Sequence, residues 1–135
     1  MNWQNLAYAL DQVAHNLGAV TVVAGPLYFL IAGELKRERG VLWITLTGWV
    51  VQIATGSFLG LISLYFYGQL PDIHGIAIGA LLIKIVCAIT AFVLIVASLR
   101  VHDLYTGRRT AITWQVLAAL AIIAISAAAF LRWFS

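Results

Sequence analysis

Residues 80–99 read ALLIKIVCAITAFVLIVASL, and this stretch decides the fold. Twenty consecutive, almost entirely apolar residues are enough for one helix to cross the hydrocarbon core of a bilayer. The apolar residues do not alternate with polar ones, as they would in a strand of a transmembrane β-barrel. Because a lipid-exposed backbone must satisfy its own hydrogen bonds, we predict a transmembrane helix here.

The composition of the whole chain indicates that lipid is its main solvent. Hydrophobic residues make up 63% of the 135 residues, charged residues make up 10%, and the mean hydropathy is +0.99. Soluble proteins carry about 25% charged residues. The formal net charge of +3 comes from basic residues that cluster in short connections, so it requires no nucleic acid as a partner.

Three further segments share this length and character, so we predict four transmembrane helices, at about residues 6–33, 41–68, 73–101 and 111–134. Short connections make consecutive helices antiparallel neighbours. The expected fold is therefore all-α: one integral membrane domain, residues 1–135, in which four helices run up, down, up and down.

The connections also predict the orientation. The first carries Lys36, Arg37 and Arg39, the third carries Arg108 and Arg109, and the second carries no lysine or arginine. The positive-inside rule places the first and third connections in the cytoplasm and both chain termini outside.

Lys84 interrupts the most apolar segment at about ten residues from its start, which corresponds to a depth of about 15 Å. A charge near the bilayer centre costs about 2.5–3.5 kcal/mol on insertion scales. We therefore expect Lys84 to face the bundle interior, either with a partner or as a neutral amine. Gln52 lies at a similar depth on the second helix, so a purely structural Lys84–Gln52 hydrogen bond is one interpretation and a functional site is the other.

Helical periodicity assigns faces to the second and third helices. On the third helix, one face combines small residues with the lysine and is predicted to point inward, and the opposite face is bulky and suited to lipid. The second helix carries a stripe of small and polar residues, also predicted to point inward. The inward face of the third helix is Ala77, Leu81, Lys84, Ala88 and Ala91, its lipid face is Leu82, Ile85, Ile89, Phe92 and Val93, and the stripe is Gly48, Gln52, Thr55, Leu59 and Ser63.

The first helix holds a candidate ligand-binding face. Asp11 and His15 are four residues apart and so neighbours on a helix surface. A carboxylate beside an imidazole is the arrangement that orients a metal-ligating histidine. Gly18, one turn deeper, would leave room for a flat ligand. The alternative is that the polar residues at this end, Asp11 and His15 included, form only a hydrated interfacial turn.

His74 opens the third helix at the same side of the membrane as His15. Two histidines on two helices are the minimum for a bis-imidazole haem site, so His15 and His74 are the candidate metal ligands. His102 lies on the other side, beside charged residues, and is predicted to be a loop histidine. No closely spaced ligand motif supports a bare metal ion.

Two stretches resemble a known family. AHNLGAVTVVAGPLYF, residues 14–29, resembles the first helix of the copper resistance D-like domain and of the related bacterial four-helix protoporphyrinogen oxidases, and LLIKIVCAI, residues 81–89, resembles the third helix of those oxidases. On this likeness His15 matches the family's histidine, Gly25 its glycine and Lys84 its intramembrane lysine. The resemblance implies a four-helix protein of the bacterial inner membrane with a haem pocket.

Four functional hypotheses remain. The first is a membrane protein that binds haem b or a metal on the external side, with electron transfer as its role, and its candidate residues are His15, His74, Gly18, Gly25 and Lys84, supported by Asp11 and Gln52. The second is a copper-handling protein, ranked lower because Cys87 and the initiator methionine are the only soft ligands. The others are an oligomeric transporter and an accessory subunit of a larger membrane complex without a cofactor. No residue is assigned a catalytic role, and we expect a homo-oligomer or a subunit of a complex.

Overall fold

The computed structural model describes residues 3–33, 37–68, 73–101 and 108–134. This part of the chain consists almost entirely of four helices and contains no strand. They are α1 (Trp3–Ala32), α2 (Glu38–Tyr67), α3 (Ile76–Arg100) and α4 (Arg108–Phe134). The predicted all-α four-helix bundle is therefore confirmed.

The helix starts differ from the prediction by three residues. Helices α1, α2 and α4 each begin three residues early, whereas α3 begins three residues late. In α2 the extra turn contains Glu38, whose negative charge interacts favourably with the helix dipole at an N-terminus. Helix α3 starts late because Gly75 adopts φ +53° and ψ −116°, a conformation open to glycine that a helix cannot include.

All four helices are long and apolar enough to cross a membrane. Large apolar side chains point away from the bundle on every helix, among them Ile31 and Trp133, each 85% exposed, and Val86, 61% exposed. Exposed apolar surface on this scale is rare in water-soluble monomers and suits a lipid environment. The prediction of a membrane protein is thus supported by both helix length and surface chemistry.

The bundle is organised as two helical hairpins. Helix α1 packs most extensively against α2, and α3 packs against α4, while α1 and α4 join the two hairpins. The α2–α3 interface is the sparsest of the interfaces between helices that follow one another in the chain. As a result, one side of the bundle has less helix–helix contact than the others.

One end of the bundle is closed by a buried aromatic cluster. The rings of Phe29 on α1 and Trp114 on α4 stack with centroids 4.6 Å apart. The indole Nε1 of Trp114 donates a hydrogen bond to Glu38 Oε1 on α2, at 3.4 Å. Both partners of this bond are buried. Three helices are therefore joined where α1 ends and where α2 and α4 begin.

The predicted inward faces agree with the observed burial. On α3, Ala77, Ala88 and Ala91 are buried, while Leu81 and Lys84 are half-buried. The predicted lipid face of α3, listed above from Leu82 to Val93, is exposed throughout. On α2 the first three residues of the stripe, from Gly48 to Thr55, are buried and the last two are half-buried.

Candidate functional site

Three helices each contribute one polar side chain to a row of hydrogen bonds in the membrane-spanning part of the bundle. Lys84 Nζ on α3 lies 3.1 Å from His15 Nε2 on α1. The other ring nitrogen, Nδ1, lies 2.7 Å from Thr55 Oγ1 on α2. Both His15 and Lys84 are half-buried, and Thr55 is buried. The two nitrogens of one imidazole thus connect two other helices.

Gln52 contacts the same histidine from a second direction. Its side-chain amide Nε2 donates to the backbone carbonyl of His15. The sequence suggested a bond between Gln52 and Lys84, but in the structure both side chains bond to His15 instead. The reason is that α1 lies so close to α2 that Gln52 reaches the α1 backbone.

Asp11 was expected to orient the imidazole of His15, but Thr55 occupies that position. The Asp11 side chain is buried, with 6% of its surface exposed. Within the described ranges, its Oδ2 atom has no hydrogen-bond partner, and the indole nitrogen of Trp49 is in the same situation. A buried carboxylate oxygen without a donor is a costly feature, so Asp11 provides an acceptor that a ligand could use.

The missing side chain of Gly18 points at α2, so it does not open a space beside His15; Gly18 borders only a groove on the outside of the bundle. A Cβ atom at Gly18 would lie 3.0 Å from Val51 Cγ1 and 3.3 Å from Gln52 Nε2. A Cβ at Gly25 would collide with Thr45 Oγ1. Both glycines therefore allow α1 and α2 to approach closely, which is the usual use of small residues between membrane helices.

Open space lies instead beside a different glycine, on α2. A Cβ at Gly56 would meet only His15 Cε1, at 3.9 Å, and a Cβ at Gly60, one turn further along α2, would meet nothing within 4 Å. The same holds at Gly79 on α3. Gly56 and Gly79 are exposed and Gly60 is half-buried, so the edge of the His15 ring lies close to the outer surface of the bundle.

His74 is exposed and precedes α3 by two residues. It lies ten positions before Lys84, a separation of about 15 Å along a helix. The ring nitrogens of His15 contact Thr55 and Lys84, so His74 occupies neither position. Its role as second ligand stays a prediction, and His102 lies outside the described residues.

The donor set at this site is small. In the four described ranges, no group of three or more His, Cys, Asp or Glu residues is placed to hold a metal ion. Cys87 is buried one turn beyond Lys84 on α3. A bare zinc or copper ion is normally held by three or four protein ligands. The site therefore offers one well-placed imidazole, with an amine next to it.

The direct contact between Thr55 and His15 was missed from the sequence. Thr55 was placed correctly on the inward stripe of α2, three residues from Gln52, but without a partner. The spacing of a hydroxyl and an amide one turn apart was the available signal.

Comparisons with protein families, curated proteins and solved structures found no match to this chain.

Proposed function

We propose that the protein binds haem b at His15 and transfers electrons within the membrane. The observation that carries this proposal is the position of the His15 imidazole, inside a membrane bundle, with one nitrogen bonded to α2 and the other facing Lys84. Intramembrane ionisable residues are costly and mark functional sites by default. Packing α1 against α3 needs no ionisable side chains, so the direct contact between a histidine and a lysine of these helices indicates a functional site.

The donor set favours haem over a bare metal ion. Haem brings four nitrogen ligands of its own, so one axial histidine from the protein is sufficient to hold it. His15 would be that ligand through Nε2, the atom that Lys84 Nζ contacts at 3.1 Å, so haem binding requires Lys84 to leave Nε2. The released amine would then be available to a propionate carboxylate. When bound, haem supplies a one-electron carrier. Copper(I) prefers thiolate and thioether ligands, and Cys87 alone is a poor match.

The surroundings of His15 are compatible with a bulky ligand. The ring edge lies close to the outer surface of the bundle beside Gly56, and the α2–α3 interface is sparse, so a ligand could approach from the membrane. The resemblance of α1 and α3 to the four-helix oxidases points to the same histidine and lysine. Gly18 and Gly25 are left out of this proposal because they pack against α2.

The test is the absorption spectrum of the purified protein in detergent, with and without added haemin. We expect a Soret band for the wild type and its loss in His15→Ala. His74→Ala should keep the band because His15 remains, and a change from low-spin to high-spin in this variant would identify His74 as the second ligand. A spectrum unchanged by His15→Ala would contradict the proposal.

A second candidate, an accessory subunit of a larger membrane complex, is favoured by one surface. A groove of about 440 Å³ runs between α1 and α2 on the outside of the bundle. Its walls combine small and hydroxyl-bearing residues: Ala14, Gly18, Thr21, Thr47 and Gly48, with Leu17, Ile44 and Val51 beside them. Such surfaces admit another transmembrane helix at short distance. A protein that stays colourless with haemin and co-purifies with a membrane partner would support this alternative.

The proposed location is the bacterial inner membrane, with both termini external. The basic residues Arg37 and Arg39 stand at the start of α2, and Arg100 and Arg109 flank the α3–α4 connection. The aromatic cluster around Trp114 brings these two connections to one end of the bundle. The positive-inside rule supports a cytoplasmic position for that end, which puts the start of α1 outside.

A further inference from the structure

The hydroxyl of Thr55 fixes the direction of a hydrogen bond to His15. Thr55 Oγ1 lies 2.6 Å from the backbone carbonyl of Val51 and 3.5 Å from that of Gln52. A hydroxyl has one hydrogen to donate, and a carbonyl oxygen can only accept. If the hydrogen pointed at His15 instead, Oγ1 and the Val51 oxygen would repel each other at 2.6 Å with no hydrogen between them. The hydrogen is therefore assigned to the bond within α2, and Oγ1 is left as an acceptor toward His15 Nδ1, 2.7 Å away.

The proton position on the imidazole follows from this. Since Thr55 Oγ1 accepts, His15 Nδ1 must carry the hydrogen and donate it. A neutral imidazole has one N–H, so Nε2 carries a lone pair. That lone pair faces Lys84 Nζ, a group that donates, at 3.1 Å. The opposite tautomer would leave Thr55 without its donor and would direct an N–H at the lysine.

Gln52 holds the backbone of the same residue. Its amide donates to the His15 carbonyl, and it lies three residues before Thr55 on α2. This reach depends on the close approach of the helices at Gly18, where a Cβ would stand 3.3 Å from the Gln52 amide nitrogen. One turn of α2 thus holds both the main chain and the ring of His15.

We infer that Thr55 and Gln52 are positioning residues: Thr55 holds His15 as the Nδ1–H tautomer, Gln52 holds its backbone in place, and together they direct the Nε2 lone pair toward Lys84. The tautomer is a property of the chain alone, and its use for an axial ligand rests on the proposed function. An imidazole whose second nitrogen donates a hydrogen bond is a more basic and better oriented ligand. Iron would therefore bind His15 through Nε2, after Lys84 has moved away from that atom, and α2 determines which ring nitrogen is used although it supplies no iron ligand.

The tautomer can be read without any cofactor. Protein labelled with ¹⁵N-histidine is reconstituted in lipid nanodiscs free of haem, and the ring nitrogen shifts are measured, with His15→Gln used to assign the His15 signals. We expect a protonated Nδ1 and an unprotonated Nε2 in the wild type. Thr55→Val removes the acceptor while keeping the shape, so the signals should shift toward a mixture of tautomers, and Thr55→Ser should restore the wild-type pattern.

Thr47→Val is the matched control on the same helix. The Thr47 hydroxyl also donates to the carbonyl four residues earlier, Trp43 O at 2.9 Å, but its side chain is exposed and lines the outer groove. This variant should leave the His15 signals unchanged. In a haemin titration, Thr55→Val and Gln52→Leu should weaken binding by about 10–100-fold, the range typical for residues that orient a ligand, and Thr55→Ser should stay close to the wild type.

Two results would overturn the inference: a protonated Nε2 in the wild type, or a Thr55→Val spectrum identical to that of the wild type. The first needs no variant, so misfolding of Thr55→Val does not affect it. The failure of the haem proposal has a different signature, because wild-type protein that binds no haemin can still show the expected tautomer.

Discussion

Lys84 is unusual because its hydrogen-bond partner is an imidazole and not an anion. A lysine inside a membrane protein normally pairs with an anion, yet Lys84 contacts an imidazole nitrogen, which offers a lone pair and no negative charge. The residues around it on α3 are small, since Ala77, Ala88 and Ala91 are all buried. The lysine stem therefore has room, and its amine has an imidazole and no carboxylate as its hydrogen-bond partner in the described ranges.

We predict that Lys84→Met separates stability from function. Methionine keeps the length of the side chain and removes the costly amine, but it leaves His15 Nε2 without its donor, which costs about 1–3 kcal/mol. These effects oppose each other, so the free energy of unfolding in detergent should change by less than about 3 kcal/mol and the bundle should still fold. Haemin binding should weaken, and Lys84→Arg, which keeps the charge, should lose less of it. Full haemin binding by Lys84→Met would show that the lysine has no role in the site.

Individual inward residues were predictable, whereas their pairing was not. The positions of His15, Gln52 and Lys84 on inward faces followed from periodicity and from the cost of a charge in lipid. Which of the three bond to one another depends on the rotation and distance of α1 relative to α2 and α3. A single sequence does not contain that distance, so Gln52 was paired with Lys84 rather than with the His15 backbone.

At the scale of the helices, the glycines of α1 also show that a single sequence does not give the distance between two helices. The sequence shows where a side chain is missing, but not what fills the space. Gly18 and Gly25 were assigned to a ligand, and the structure gives the space to α2. The four helices themselves were predictable because twenty apolar residues in lipid have few alternatives.

We predict that Gly25→Ala destabilises the α1–α2 hairpin. The added methyl group would collide with Thr45 Oγ1, whose hydroxyl is buried and bonded to Val41 O at 2.8 Å, so it cannot move away freely. Overpacking of this kind costs about 1–3 kcal/mol. Unfolding in detergent measures the change.

Gly40→Ala provides the control for that substitution. Gly40 lies in the first turn of α2 and a Cβ there would meet nothing within 4 Å, so alanine should be neutral or stabilise the helix by about 0.5–1 kcal/mol. Equal effects of the two substitutions would mean that the close approach at Gly25 does not contribute to stability.

At the scale of the whole molecule, the two ends of the bundle differ both in packing and in charge. The end closed by Phe29, Glu38 and Trp114 is also the end of the helices at which Arg37, Arg39, Arg100 and Arg109 lie. The opposite end carries the start of α1 and the exposed His74. An asymmetric distribution of Lys and Arg of this kind sets the orientation of small membrane proteins.

We predict that both termini face the outside of the cell membrane. A C-terminal alkaline phosphatase fusion should be active and a C-terminal green fluorescent protein fusion should be dark, because these reporters work on opposite sides. Moving the fusion point to the α1–α2 connection should reverse the two signals. Fluorescence from the C-terminal fusion together with an inactive phosphatase would rule out this orientation.

The division into two hairpins has a consequence for biogenesis. A chain made from its N-terminus delivers α1 and α2 to the membrane first, and this pair already contains His15, Thr55 and Gln52 with all of their mutual hydrogen bonds. Lys84 arrives later, on the second hairpin, across the sparse α2–α3 interface. Two co-expressed fragments, divided between α2 and α3, should therefore reassemble in the membrane, and pull-down of one with the other would show it. The bonds that hold the His15 imidazole can therefore form while the chain is still being translated. The contact with Lys84 forms only after the second hairpin has been inserted.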